Sequence, residues 1–196
     1  MFLESIKIEN GEIKNIALHQ QRFDETRHFF FPKSPKIELE EVFNDLPSFD
    51  KNTIYKLRLI YNSKIHSFQI QPYQPKIIRS LKMIECNQID YGYKYENRTL
   101  LNQLFEQKQD CDDVLIIKNN QITDTSYANI AFFDGKKWYT PKNCLLNGTF
   151  KKLLLQKKLI YEQNIFKNEL FLFEKAKILN AMLEWEGSEI DIKMII

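Results

Sequence analysis

The sequence predicts an α+β protein in two domains, a small one over residues 1–75 and a larger one over 76–196. Three observations carry that reading. Two hairpin signals, Asn10-Gly11 and Asn62-Ser63-Lys64, enclose a helical stretch, so strands and helices alternate early in the chain. The stretch Gln71-Pro72-Tyr73-Gln74-Pro75 then reads as a linker, because two prolines argue against a continued ladder. Beyond it, short strand-like runs are interspersed with amphipathic helical ones.

Taken in order, Phe2–Ile8 alternates with the period of a strand, and Glu12–Ala17 reads as its return partner. A helix is expected from Leu18 to about Phe30, closed by Pro32 and Pro35. A second helix, Ile37–Leu46, has its apolar residues on one face. Thr53–Tyr61 and Ile65–Ile70 read as the second hairpin. In the larger domain, strands are expected at Ile77–Ile84, Val114–Ile117, Gln121–Thr123, Ile130–Phe133, Trp138–Thr140, Leu159–Phe166, Ala176–Met182 and Glu189–Ile192. Helices are expected at Arg98–Gln107, Gly148–Gln156 and near Glu169–Phe173.

Composition excludes several classes of function. With 28 basic and 26 acidic residues, the net charge of +2 makes no electrostatic case for nucleic acid or a membrane surface. Fifteen Phe and nine Tyr against five Gly describe a packed globular chain rather than a disordered one. Cys86, Cys111 and Cys144 show no metal-ligand spacing, so no metal site is expected, and they read as free thiols of a reducing compartment. Met1 leads straight into a strand, and no apolar run approaches a membrane span, so a cytoplasmic location is expected.

The chemistry is concentrated between Tyr93 and Lys151. Lys94-Tyr95-Glu96-Asn97-Arg98 precedes a helical run, and Asp124 stands five residues before Asn129. Trp138-Tyr139-Thr140-Pro141 follows, and then Asn147-Gly148-Thr149-Phe150-Lys151. Nearer the start are Glu4-Ser5-Ile6-Lys7 and His19-x-x-Arg22. Taken alone, each has an ordinary reading. Lys94 can be a solvated lysine, and Asp124 can belong to an Asx or Ser/Thr turn. Gly148 can open a helix after a turn, and Arg22 can be a solvent-facing helix residue.

In that order and spacing the motifs resemble the fold-type IV pyridoxal-phosphate (PLP) enzymes, the class IV aminotransferase group, and within it the 4-amino-4-deoxychorismate lyases. The resemblance implies a two-domain architecture like that of D-amino-acid aminotransferase, with PLP between the domains. It makes Lys94 the lysine that holds the cofactor covalently and then moves the substrate proton. Asp124, where the family usually has Glu, is implied as the partner of the pyridine nitrogen, with Asn129 bracing the adjoining loop. Gly148, Thr149 and Phe150 at a helix N-terminus, together with Arg22, are implied to bind the phosphate. Lys151 stands where the family's phosphate box has Arg. Ser5, Lys7 and Asn180 are implied as substrate contacts, Asn180 alternatively being part of a core strand. The family's leading strand and Gly-Asp-Gly stretch have no counterpart ahead of Phe2.

The function implied is conversion of 4-amino-4-deoxychorismate to 4-aminobenzoate and pyruvate, a step of folate synthesis, in a homodimer acting on a small molecule. Thr99, where branched-chain aminotransferases tend to have Tyr, favours this lyase lineage. Two alternatives stand beside it: an aminotransferase of branched-chain or D-amino acids, and a PLP-binding relic without turnover, suggested by Asp124 and Lys151.

Overall fold

The computed structural model describes residues 1–44 and 46–196 and divides them into two compact units. The first comprises Met1–Pro75 with Tyr93–Asn97, the second Lys76–Gly92 with Arg98–Ile196. The division thus differs from a single cut after Pro75, because the segment carrying Lys94 returns to the first unit.

In the first unit, β1 (Phe2–Glu9) pairs with β2 (Glu12–Ile13) through a turn in which Asn10 and Gly11 both have positive φ, 56° and 80°. That conformation suits a two-residue hairpin and the residues that tolerate it. The expected return strand stops at Ile13. Asn15 adopts the left-handed conformation (φ 54°), turning the chain so that helix α1 runs over Ile16–Phe30 and takes in Ile16 and Ala17. The second helix, α2, is only Leu39–Phe43, shorter than the expected Ile37–Leu46, part of which, Asp45, lies outside the described residues. Strands β3 (Tyr55–Tyr61) and β4 (Ile65–Pro72) complete a four-stranded sheet in the order β2-β1-β3-β4. Gln71 and Pro72, expected in a linker, belong to β4. As the outer strand it tolerates a residue with no N–H to give.

Register sorts the residues of this sheet onto two faces. Glu4, Ile6 and Ile8 pair with Leu59, Leu57 and Tyr55, and with Phe23, Leu39 and Phe43 they form the buried side. Leu3, Ser5 and Lys7 lie opposite Ile60, Arg58 and Lys56 on the other face.

The second unit has two sheets. Strands β5 (Leu81–Glu85), β6 (Asp113–Lys118) and β7 (Gln121–Thr125) form one, and helix α3 (Thr99–Phe105) precedes β6. The expected strand from Ile77 starts only at Leu81, because the N–H groups of Ile78 and Arg79 are taken by Ser188 Oγ and Asp112 Oδ2. The other sheet has the order β10-β9-β8-β11-β12, with β8 (Asn129–Phe133), β9 (Trp138–Pro141), β10 (Tyr161–Gln163), β11 (Lys175–Leu179) and β12 (Glu189–Asp191). Helix α4, Thr149–Gln156, lies in sequence after β9.

Other expected strands in this unit are shorter in the structure too. Lys158 adopts a left-handed conformation (φ 55°) as α4 ends, which leaves only Tyr161–Gln163 of Leu159–Phe166 as strand. Strand β11 stops at Leu179, where Asn180 Oδ1 accepts from the N–H groups of Met182 and Leu183 and turns the chain. Leu115, Ile117, Ile122, Ile130, Phe132 and Ile178 anchor the core of this unit.

Candidate active site

In the first unit, Tyr93–Asn97 lies against the start of β1. Leu3 N donates to Lys94 O (2.9 Å), Glu96 N donates to Met1 O (3.1 Å), and Phe2 and Tyr95 form a bridge. The flanking rings hold the segment: Tyr95 lies 5.3 Å from Phe2, and Tyr93 4.8 Å from Phe30. Lys94 is therefore fixed in its backbone by neighbours that the aromatic composition supplies.

Glu4, His19 and Arg22 form a buried cluster in the same unit. Arg22 donates through Nε to Glu4 Oε1 (2.8 Å) and through Nη2 to Glu4 Oε2 (2.5 Å), a fork on a carboxylate. His19 Nδ1 lies 2.6 Å from Glu4 Oε2. Burial alone would raise the Glu4 pKa, but the Arg22 charge and the His19 and Arg22 hydrogen bonds prevail and hold it at about 2. Burial lowers the pKa of His19, so the imidazole is neutral near pH 7, with Nδ1–H donated to the ionised carboxylate. Its Nε2 has no hydrogen-bond partner among the described residues. The charge of Lys94 lies close enough to press the same way on His19. Arg22 is thus no solvent-facing residue. Ser5 is half-buried opposite Arg58, and Lys7 is buried with Glu9 at 2.7 Å.

In the second unit, Asp124 lies in β7 next to its last residue, and its carboxylate is bonded to the segment before α4. Asn129 Nδ2 donates to Asp124 Oδ1 and to Leu146 O, each at 2.8 Å, and Leu146 N donates to Asp124 Oδ2 (2.9 Å). Asp124 is therefore a strand residue tied to a distant loop, not a local turn former. Burial pushes its pKa up to about 6, outweighing the Leu146 N–H and the Asn129 amide. Those donors are neutral, and the Leu145 N–H and the charge of Lys151 add smaller pulls downward that burial also outweighs.

Gly148 is required by space rather than by backbone angle. Its conformation is extended (φ −65°, ψ 146°), yet a Cβ there would stand 2.1 Å from Asn129 Oδ1. It is also the N-cap of α4 and offers no side-chain acceptor to the first turn, where Thr149 and Phe150 are buried. Lys151 donates to Pro141 O, Cys144 Sγ and Glu162 Oε1. Asn180 has spent its side-chain carbonyl on the turn after β11.

The cluster around Glu4 is the feature that sequence reasoning missed. Its signal was present: one acid among the apolar even positions of β1, and a histidine and an arginine three apart on one helix face.

A family model for amino-transferase class IV matches residues 1–187. The chain belongs to the class IV aminotransferases. An uncharacterised protein of Haemophilus influenzae (strain Rd) is 40% identical over 181 residues, which cover 91% of this chain and 96% of that one. A crystal structure from Haemophilus somnus 129PT, assigned provisionally as a 4-amino-4-deoxychorismate lyase, is 36% identical with a TM-score of 0.89, covering 92% of this class IV chain and 95% of its own. A PLP-bound hypothetical aminotransferase from Mycobacterium tuberculosis has a TM-score of 0.76 over 96% of this chain and 79% of its own; at 12% identity it shares the fold alone. The α+β, class IV fold expected from the motifs is the one found, in a family that depends on PLP. No helix among the described residues is long and apolar enough to cross a membrane.

Proposed function

We propose that this class IV chain is a PLP-dependent lyase that converts 4-amino-4-deoxychorismate to 4-aminobenzoate and pyruvate. The observation that carries the cofactor is Asp124: a buried carboxylate whose hydrogen-bond donors are neutral and whose pKa is about 6. The charge of Lys151 reaches this group only through space and does not offset its burial, and a protonated pyridine nitrogen would supply a cation bonded to it directly. The first turn of α4, with no side-chain cap, suits a phosphate in the same way. The choice of a lyase is supported by Thr99 after Asn97-Arg98 and by the likeness to the Haemophilus somnus protein.

When bound, PLP supplies an electron sink for the pair left behind by the substrate's α-proton. Lys94 holds the cofactor, and its Nζ then takes the α-proton and returns a proton during elimination. Asp124 keeps the ring nitrogen protonated, and Asn129 holds Asp124 and the Leu146 carbonyl at fixed distances. Gly148, Thr149 and Phe150 face the phosphate with backbone N–H groups, and Arg22 adds its charge while Glu4 fixes its orientation. Ser5 and Lys7 on the polar face of the small sheet, and Asn180 through its remaining amide group, contact the substrate. The enzyme acts as a homodimer in the cytoplasm and feeds folate synthesis.

The test mixes PLP-loaded protein with 4-amino-4-deoxychorismate and follows 4-aminobenzoate fluorescence. Production of 4-aminobenzoate supports the reading. No product, together with amino-group transfer from a branched-chain or D-amino acid to a 2-oxo acid, would replace it with the aminotransferase reading.

A further inference from the structure

We propose that Lys151 is a positioning residue, a clamp on Pro141–Gly148, the segment that gives Asp124 its backbone donor and leads into α4. This rests on the reading of Asp124 and α4 as cofactor-binding. By place in the motif, Lys151 stands for an arginine of a phosphate box, which suggests an ammonium aimed at phosphate. Its surroundings point elsewhere. An ammonium has three protons, and Lys151 Nζ meets three acceptors: Pro141 O at 3.0 Å, Glu162 Oε1 at 3.0 Å and Cys144 Sγ at 3.2 Å. The side chain is only 1% exposed, so no donor is left for a fourth partner from solvent or ligand.

Each acceptor belongs to a different piece of structure. Pro141 ends β9, Cys144 lies in the connection to α4, and Glu162 lies in β10, which pairs in parallel with β9. One side chain of α4 therefore holds both the start and the middle of the connection. Burial pushes the Cys144 thiol up, so it remains a neutral acceptor, and Glu162 supplies the counter-charge that a buried ammonium needs. Leu146 is two residues beyond Cys144, and its N–H and C=O make the bonds to Asp124 and Asn129 at 2.9 Å and 2.8 Å. Hydrogen bonds of that length weaken within a few tenths of an ångström of misplacement, so releasing Cys144 loosens Asp124 and the first turn of α4 together. Arginine cannot do the same task, because its planar fork does not match three acceptors set around one nitrogen.

The experiment titrates the ligand-free protein with PLP and, separately, with pyridoxal, which lacks the phosphate. It uses wild type, Lys151→Met, Lys151→Arg and Glu162→Gln. Thermal midpoints and amide exchange at Leu146 without ligand are measured alongside. The expected result is that Lys151→Met and Lys151→Arg weaken both ligands by a similar factor, about tenfold or more, and speed Leu146 exchange. Glu162→Gln shifts both affinities in the same direction by less. Loss of PLP affinity alone, with pyridoxal binding intact and Glu162→Gln silent, makes Lys151 a phosphate ligand and overturns the proposal. So do unchanged affinities with only a lower midpoint, which leave a purely structural lysine. If Lys151→Met does not fold, Glu162→Gln gives the decision. If wild type binds neither ligand, the cofactor reading fails, and Leu146 exchange still tests the clamp by itself.

Discussion

Glu4 and Asp124 are both buried carboxylates, one in each unit, and their environments push them in opposite directions. Glu4 faces an arginine fork and a histidine N–H and is held at about 2. Asp124 faces an amide and a backbone N–H and rises to about 6. The difference lies in the charge of the donors, since burial acts the same way on both. A carboxylate already paired with a cation is a fixed part of the structure. One whose hydrogen-bond donors are neutral can still take a directly bonded cation. The first unit has a finished ion cluster beside Lys94, and the second an unfinished one.

The largest expected effect comes from removing Lys94 itself. Lys94→Ala should leave no PLP that borohydride fixes to the chain and should remove the proposed turnover, while both carboxylate clusters keep their shape. Peptide mapping after reduction checks it. A cofactor fixed on another lysine of the wild type would move the covalent site away from the Glu4 cluster.

Next comes the finished cluster. Glu4→Gln removes the charge that Arg22 pairs with and leaves a buried guanidinium without compensation, which costs on the order of 3–5 kcal/mol. Arg22→Ala strands Glu4 in the same way, so its effect should be on stability as well as on phosphate binding. Urea unfolding measures both variants. A loss below about 1 kcal/mol in each would mean that the cluster behaves like an exposed ion pair.

How far the sequence could be read follows the same divide between local and distant partners. Alternation in β1, the Asn10-Gly11 turn and the helical spacing of α1 and α4 are local, and they were legible to within a few residues. The motif order by itself carries the resemblance to the class IV fold. The early end of β11 depended on one Asn180 side chain bonding two nearby N–H groups, and the late start of β5 on Ser188 and Asp112, far away in sequence. No periodicity records such partners. The same holds for the Glu4 cluster and the Lys151 clamp, in which residues 15 and 18 places apart, and 10, 7 and 11 places apart, meet in space. The spacing of Asp124 and Asn129 was legible; the amide that joins both to Leu146 was not.

The pH dependence of the ligand-free protein should contain both signs. The folded-state pKa of Glu4, about 2, lies below the ordinary 4.5, so its contribution is present above pH 4.5 and is lost as pH falls toward 2. Its size is about 3 kcal/mol. Asp124, at about 6 against an ordinary 3.8, works the other way. Its contribution is full below pH 3.8 and is lost, again about 3 kcal/mol, as pH rises through 6. The contributions of these two groups to urea unfolding should therefore run as a rise and then a fall, with the lowered pKa of His19 opposing the fall below pH 6.5. Asp124→Asn should remove the fall between pH 4 and 6, and Glu4→Gln the rise below it. The slope is what is read, because either substitution also changes the level. A fall that persists in Asp124→Asn would assign it to another group and break the contrast.

The smallest expected effect tests whether the unfinished cluster is held as tightly as its distances imply. Gly148 has backbone angles that alanine adopts freely, so Gly148→Ala carries no conformational strain. Its new Cβ would stand 2.1 Å from Asn129 Oδ1, and either the Asn129 side chain or the backbone must move. Overpacking of this kind costs about 1–3 kcal/mol. If Asn129 moves, its amide leaves Asp124 and Leu146, and PLP affinity falls beyond what the stability loss explains. Asn129→Ala separates the two costs, because it deletes the clashing oxygen together with those hydrogen bonds. In the double variant the clash has no partner, so its destabilisation should be smaller than the sum of the two single ones. PLP affinity in the double variant should stay as low as in Asn129→Ala, since removing the clash does not restore the donor to Asp124. Additive stabilities would show that Gly148→Ala is accommodated by the backbone. The fit between Gly148 and Asn129 would then be loose, and Asp124 would be held chiefly by the Leu146 N–H.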